Sequence, residues 1–222
     1  MSLKTDIKKR AVCTRCLRPQ QTCICHWITP TVHAVEVLIL QHPLEVANAK
    51  GSARLLHLSL PHSQLIVGET FAEQALHELL YAPFPYQEEV RAAPHQTILL
   101  YPHTPGSTAA GMQQAPLLDP APLQYPEKTR LVILDSTWRK SRKMLYANTL
   151  LQALPRLPLQ HMPASQYTIR KAHAPDQLST LEASCYALMQ LEGDEEKYQP
   201  LLKAFGGFVI QQSTYRAQAS RV

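Results

Sequence analysis

The stretch Leu131-Val132-Ile133-Leu134-Asp135-Ser136-Thr137-Trp138-Arg139-Lys140-Ser141-Arg142-Lys143 runs four apolar residues into an acid, two hydroxyls, an indole and a basic segment. Four apolar residues without alternation suit a parallel strand covered on both faces, and ligands bind at the carboxyl ends of such strands. Asp135 is therefore expected at a ligand-facing edge. Ser136 and Thr137 are expected to cap a helix in which Trp138, Ser141 and Leu145 share one face, while Arg139, Lys140, Arg142 and Lys143 turn mostly to solvent. Two readings fit these residues. In one they form a reaction site with Asp135 as its acid; in the other Asp135, Ser136 and Thr137 are ordinary capping residues and Trp138 is plain core.

Outward from this stretch the chain alternates strand and helix patterns. Val35 to Leu40 reads as a first strand, turning at Gln41-His42-Pro43 into a helix that carries Val46 and the later Leu55, Leu56 and Leu58. Gln64 to Val67 reads as a strand followed by a helix over Phe71 to Leu80, and Thr97 to Tyr101 as a third strand ending at Pro102. Pro83, Pro85 and Pro94 mark one connection, and Pro116, Pro120, Pro122 and Pro126 a longer one. Beyond the basic helix, Pro155 to Pro163 is proline-broken, Tyr167 to Lys171 reads as a short strand, and helices are expected over Ser179 to Leu191 and Tyr198 to Tyr215. This alternation predicts an α/β fold with a largely parallel sheet. No Gly-x4-Gly-Lys loop and no Gly-x-Gly-x-x-Gly is present, so a nucleotide would have to be held in another way.

A chain of 222 residues allows one main domain with a small appendage. The net charge of +5 is concentrated in residues 1–26, where Lys4, Lys8, Lys9, Arg10, Arg15 and Arg18 face only Asp6. Such a patch suits a polyanion such as RNA, and equally a solvated basic tail. No apolar run is long enough for a bilayer and no secretion signal is visible, so a cytoplasmic protein without a membrane partner is expected. Cys13, Cys16, Cys23 and Cys25 follow the pattern Cys-x2-Cys-x6-Cys-x-Cys, which suits a tetrahedral zinc ion, with free thiols as the alternative. Four thiolates leave no open position, so this zinc is expected to be structural, its formal charge of about −2 offset by neighbouring Lys and Arg, with His26 as a spare donor. Cys185 reads as a small core residue, and His42, His57, His62, His95, His103, His161 and His173 show no metal-ligand spacing.

Asp135-Ser136-Thr137-Trp138 resembles the Asp-x-Thr-Trp signature of the DTW-domain family, and further motifs spread over most of the chain fit the same family: Leu99-Leu100-Tyr101-Pro102 and Leu178-Ser179-Thr180-Leu181-Glu182-Ala183. The resemblance implies a SPOUT-like domain over residues 31–222 with a C-terminal trefoil knot that binds S-adenosylmethionine, preceded by a basic tail and zinc knuckle over residues 1–30. It implies a transferase that moves a 3-amino-3-carboxypropyl group from S-adenosylmethionine to N3 of a tRNA uridine, in the variable loop for bacterial members of this size, with 5′-methylthioadenosine as co-product. It places Asp135, Thr137 and Trp138 in the catalytic part, with Asp135 as base or N3-orienting acceptor. Leu100, Tyr101, Pro102, Ser136, Ser179, Thr180 and Glu182 fall to the cofactor. Lys8, Lys9, Arg10, Arg139, Arg142, Lys143, Arg170 and Lys171 fall to tRNA phosphates, with no obligate protein partner. Ser179-x-x-Glu182 is also a capping box that needs no ligand, although a helix start can receive the carboxylate of an amino-acid moiety. Trp138 can stack on a base, but its spacing from Leu145 favours bracing the helix. Two other readings compete: an RNA methyltransferase using the same cofactor, and a noncatalytic zinc-containing RNA-binding module.

Overall fold

The apolar run Leu131–Leu134 lies inside β4 (Thr129–Asp135), the middle strand of a five-stranded sheet with β1 (Glu36–Gln41), β2 (Ser63–Val67), β3 (Gln96–Leu100) and β5 (Arg156–Leu157). The order is β2-β1-β4-β3-β5 and every pairing is parallel. The computed structural model describes residues 11–84, 93–102, 114–159 and 178–219. Helices α1 (Ala53–Ser59), α2 (Glu73–Tyr81), α3 (Trp138–Ala147), α4 (Thr149–Gln152), α5 (Thr180–Glu192) and α6 (Gln199–Ala219) cover the sheet. Successive strand side chains point to opposite faces. Val37, Ile39, Ile98, Leu131 and Ile133 therefore join one core with α1, α5 and α6, and Leu38, Leu40, Leu99 and Val132 join a second with α2, α3 and α4. No helix among the described residues is long and apolar enough to cross a membrane.

Strands β2, β3 and β4 begin one or two residues before their expected starts, at Ser63, Gln96 and Thr129, whereas β1 begins one residue later than Val35, at Glu36. Arg130 and Glu36 face each other in the β1–β4 register and are both buried. Arg130 Nε and Nη2 donate to Glu36 Oε2 at 2.9 and 2.6 Å, while Nη1 and Nη2 donate to the carbonyls of Leu79 and Ala82 at the end of α2. The ring of Phe84 lies 3.7 Å from the guanidinium carbon. Glu36 Oε1 is buried without a hydrogen-bond partner, but the guanidinium has the carboxylate, two carbonyls and the Phe84 ring, and a buried charge partnered in this way can stay inside a sheet.

Other boundaries depart from expectation for local reasons. After β1 the chain makes only a single 3-10 turn, Pro43–Glu45, capped by His42, whose Nδ1 accepts from Leu44 N; the helix expected around Val46 begins only at Ala53, and Val46 is exposed. The proline-broken segment after Pro155 holds the two-residue strand β5, an edge position where flanking prolines are tolerated. Tyr167 to Lys171 lies outside the described residues.

The cysteine segment packs on the core formed with α1, α5 and α6: Cys16 and Ile24 are buried in the cluster that contains Phe205 and Phe208. A Cβ at Gly207 would fall 2.2 Å from the Trp27 ring, so only glycine lets α6 approach the indole this closely. Trp27 Nε1 donates to Gln211 Oε1 at 2.7 Å, and Tyr215 Oη donates to the Gln21 carbonyl at 2.7 Å.

Candidate active site and metal centre

The connections after β1 and β4 leave the sheet on opposite faces: α1 packs on one core and α3 on the other. Adjacent parallel strands whose connections diverge leave a crevice at their carboxyl ends. The β1–β4 register pairs Gln41 with Asp135 at that edge. Asp135 is buried and its carboxylate is held from two directions: Oδ2 accepts from Gln41 Nε2 at 2.8 Å and Oδ1 from the Thr180 hydroxyl at 2.6 Å. Three segments distant in sequence, the ends of β1 and β4 and the start of α5, thus fix one carboxylate in the crevice.

The expected caps differ from those found. Thr137 is the backbone N-cap of α3 but its side chain makes no cap bond, and the Ser136 hydroxyl points to the Thr137 carbonyl at 3.3 Å. Helix α5, by contrast, carries a complete capping box: Glu182 N donates to Ser179 Oγ and Ser179 N to Glu182 Oε2, while Leu181 N donates to Ser52 Oγ. Three amides at the start of α5 are therefore engaged by the protein itself. Thr180, expected at the cofactor, serves Asp135 with its hydroxyl.

Trp138 does not sit in line with Leu145 as a buried brace. Ser141, Met144 and Leu145 are buried, while Trp138 is 50% exposed at the mouth, edge-on to Tyr101 with ring centroids 5.6 Å apart. Tyr101 is buried just beyond the end of β3, Leu100 is half-buried and Pro102 exposed. The other side of this cluster meets Arg156, whose guanidinium carbon lies 5.2 Å from the Tyr101 centroid.

The basic face of α3 is partly committed. Lys140 Nζ pairs with the buried Glu45 at 2.9 Å, and Lys143 Nζ with Glu69 at 2.6 Å. Glu69 also binds His42 Nε2 at 2.6 Å, and Lys143 first, then His42, holds its carboxyl below the usual range. Arg139 and Arg142 are exposed and form no ion pair among the described residues. Lys8, Lys9, Arg10, Arg170 and Lys171 lie outside the described residues, as do His103, His161 and His173. Gln41, His42, Glu45, Glu69 and Arg156 were not singled out as site residues from sequence. The rule that selected Asp135, a polar residue directly after an apolar strand, applies equally to Gln41 and His42.

The four N-terminal thiols meet the geometric demand of a zinc shell. Their sulfurs all lie within 4.8 Å of one another, with Cys13–Cys25 at 3.6 Å and Cys16–Cys23 at 3.7 Å. Sulfurs at the corners of a Zn–S tetrahedron of about 2.3 Å bond length stand about 3.8 Å apart. Backbone amides of Cys16 and Arg15, with the Cys25 thiol, pull Cys13 down to about 6, while burial pushes Cys25 up to about 12. The turn is closed by Cys13 N to the Arg18 carbonyl at 2.8 Å and by Leu17 in the left-handed region at φ 59°. Arg18 anchors the knuckle instead of reaching outward: it donates to the carbonyls of Ala49 and Gly51 at 2.6 and 2.8 Å and lies over Phe208. Cys185 is buried in α5, as expected for a core residue, and its thiol is pushed up by that burial.

Comparison with known proteins bears on both sites. A protein named tRNA-uridine aminocarboxypropyltransferase 2 from Macaca fascicularis is 29% identical over 215 residues, covering 95% of this chain and 66% of that protein. Its namesake from Drosophila melanogaster is 28% identical over 203 residues, covering 88% of this chain and 72% of that protein. A tRNA-uridine aminocarboxypropyltransferase A from Arabidopsis thaliana is 27% identical over 145 residues, covering 63% of this chain and 52% of that protein. The chain thus spans just under two thirds of the first of these relatives, and these relatives are eukaryotic, whereas the sequence resemblance pointed to bacterial members. No solved structure matches. The DTW domain matches over residues 10–213, which takes in the thiol cluster, the whole described sheet and most of α6, and the chain belongs to the DTW-domain family.

Proposed function

We propose that this chain transfers the 3-amino-3-carboxypropyl group of S-adenosylmethionine to N3 of a tRNA uridine. The observation that carries the reading is Asp135, a carboxylate buried at the carboxyl edge between β1 and β4 and held by Gln41 and Thr180 within the Asp-x-Thr-Trp motif. The names of the relatives support the same activity.

S-adenosylmethionine supplies an electrophilic carbon beside its sulfonium. The N3–C bond forms as the C–S bond breaks, the sulfur leaves as the neutral thioether of 5′-methylthioadenosine, and the N3 proton is lost. Asp135 accepts or orients that proton, and its two fixed donors align it before substrate arrives. Thr137 and the half-exposed Trp138 border the uracil side; Leu100, Tyr101, Pro102, Ser136, Ser179, Thr180 and Glu182 shape the nucleoside side. Arg139, Arg142, Lys143, Arg170, Lys171 and the basic residues Lys8, Lys9 and Arg10 take tRNA phosphates. The thiol cluster holds a structural zinc. The fold is a SPOUT-like domain with a C-terminal trefoil knot at residues 31–222, behind a knuckle at 1–30, and the protein works in the cytoplasm on the variable loop.

Incubation with bulk tRNA and S-adenosylmethionine, followed by mass analysis of nucleosides and co-product, tests the reading. Aminocarboxypropyluridine with stoichiometric 5′-methylthioadenosine is the expected result. S-adenosylhomocysteine as co-product would mark methyl transfer, and unconsumed S-adenosylmethionine would mark a noncatalytic RNA-binding module.

A further inference from the structure

Building on the proposed transfer reaction, we infer that Arg156 receives the α-carboxylate of the aminocarboxypropyl donor. Arg156 pairs with Leu99 in register, so it points to the same face of the sheet as Leu99. It is only 6% exposed, Nη1 is buried without a hydrogen-bond partner, and no described carboxylate forms an ion pair with it. The same sheet shows how this fold satisfies a buried guanidinium that serves structure alone: Arg130 has Glu36 and two carbonyls. Arg156 has the ring of Tyr101 and, among the described residues, no anion. Burial pulls its pKa down, yet an arginine stays protonated in proteins, so a desolvated positive charge remains. Keeping such a charge costs stability unless an anion completes it.

Position and chemistry select the anion. Arg156, Tyr101 and Trp138 form a continuous row from a buried guanidinium to the half-exposed indole that opens α3, three residues after Asp135. A polynucleotide phosphate meets exposed cations such as Arg139 and Arg142; a cation this buried admits a small carboxylate on a flexible chain. A guanidinium fork matches a carboxylate with two parallel bonds. The start of α5, the other place where this group could dock, has spent three amides on its own cap and Ser52.

The test is calorimetric titration of the full chain with S-adenosylhomocysteine, which carries the aminocarboxypropyl group, and with 5′-methylthioadenosine, which lacks it. Arg156→Met should lose on the order of ten- to a hundred-fold in affinity for the first and less than about two-fold for the second, since a charged hydrogen-bonded pair is removed. Arg156→Lys, which keeps charge and stem and safeguards the fold, should lose an intermediate amount. Because an unpaired buried charge disappears, Arg156→Met should melt no lower than wild type. Equal losses for both nucleosides, or an unchanged preference, overturn the assignment. So does a loss confined to tRNA with a salt slope reduced by about one, which marks a phosphate contact. A wild-type chain that binds neither nucleoside takes down the transfer reading and this one together. A wild-type preference that survives Arg156→Met and Arg156→Lys removes only the role of Arg156.

Discussion

Asp135→Asn separates the chemistry of the crevice from its architecture. The substitution keeps size and shape, and both contacts can survive as neutral bonds: Asn Oδ1 accepts from Gln41 Nε2, and Asn Nδ2 donates to the Thr180 hydroxyl once that rotor turns. Converting two charge-assisted bonds to neutral ones costs about 1 kcal/mol each, so the expected loss of stability is about 2 kcal/mol. Loss of the proton acceptor is expected to depress turnover by about two to four orders of magnitude, or about 3–5 kcal/mol in the barrier. Activity should therefore fall further than stability. Thr180→Val removes the hydroxyl donor to the carboxylate and should cost about ten-fold; on the Asn background it should cost much less, because the two residues act as one unit. Single-turnover conversion of tRNA, read by nucleoside mass analysis across pH, together with urea unfolding of each variant, provides the measurement. Bulk deprotonation of uridine N3 rises with pH, so the Asn deficit should shrink in alkaline buffer. A folded Asp135→Asn protein with near wild-type turnover at neutral pH would refute the assignment, and a deficit constant across pH would leave Asp135 a positioning role only.

The purified protein should contain about one zinc per chain, and Cys16→Ser should abolish it while also lowering the melting temperature, because Cys16 is buried against the α6 core; metal analysis and calorimetry check both. Glu36→Gln strips the countercharge from a fully buried Arg130 and should destabilise by about 3–5 kcal/mol in urea titration, whereas joint replacement of Glu36 and Arg130 by Leu and Met should recover most of that loss. Glu69 has a lowered carboxyl pKa, so its ties to Lys143 and His42 contribute stability above its ordinary value of 4.5, lost as pH falls through the lower folded value. Glu69→Gln should consequently flatten the pH dependence of unfolding below 4.5 and leave the alkaline side unchanged.

The parallel sheet was legible because its strands are buried on both faces and read as unbroken apolar runs; Leu131 to Leu134 and Val37 to Leu40 are such runs. Asp135 followed from the rule that ligands bind at strand ends, and the four-cysteine cluster from spacing alone. The partners of Asp135 did not follow. Gln41 becomes a ligand of Asp135 only through the β1–β4 register, and Thr180 only through the packing of α5, relations between residues 94 and 45 positions from Asp135. Thr137 looked like a capping side chain because its type favours that role, yet its hydroxyl makes no cap bond here. Trp138 fitted a helical core stripe, but the buried stripe begins one turn later, at Ser141, and the indole remains at the mouth. Arg156 sat in a proline-interrupted segment that showed no strand pattern, although a lone charge among Leu154, Leu157 and Leu159 was itself a sign of a buried cation.

The knuckle's attachment to α6 has a consequence for the order of assembly. Its thiols are local, with Cys13 and Cys25 only 12 residues apart, so a metal ion can close this loop at low entropic cost while the rest of the chain is still unstructured. The bonds that seat it are among the most distant in the molecule, 184 residues for Trp27–Gln211 and 194 for Gln21–Tyr215. Contacts of such sequence separation form slowly. With the proposed zinc bound, the loop is expected to form first as a plug, with Ile24 and Trp27 uncovered until α6 packs on it. If the proposed zinc is present, a chelator added during refolding should slow the final phase more than the first, and the same chelator added to the native protein should remove the ion only after α6 loosens from the knuckle.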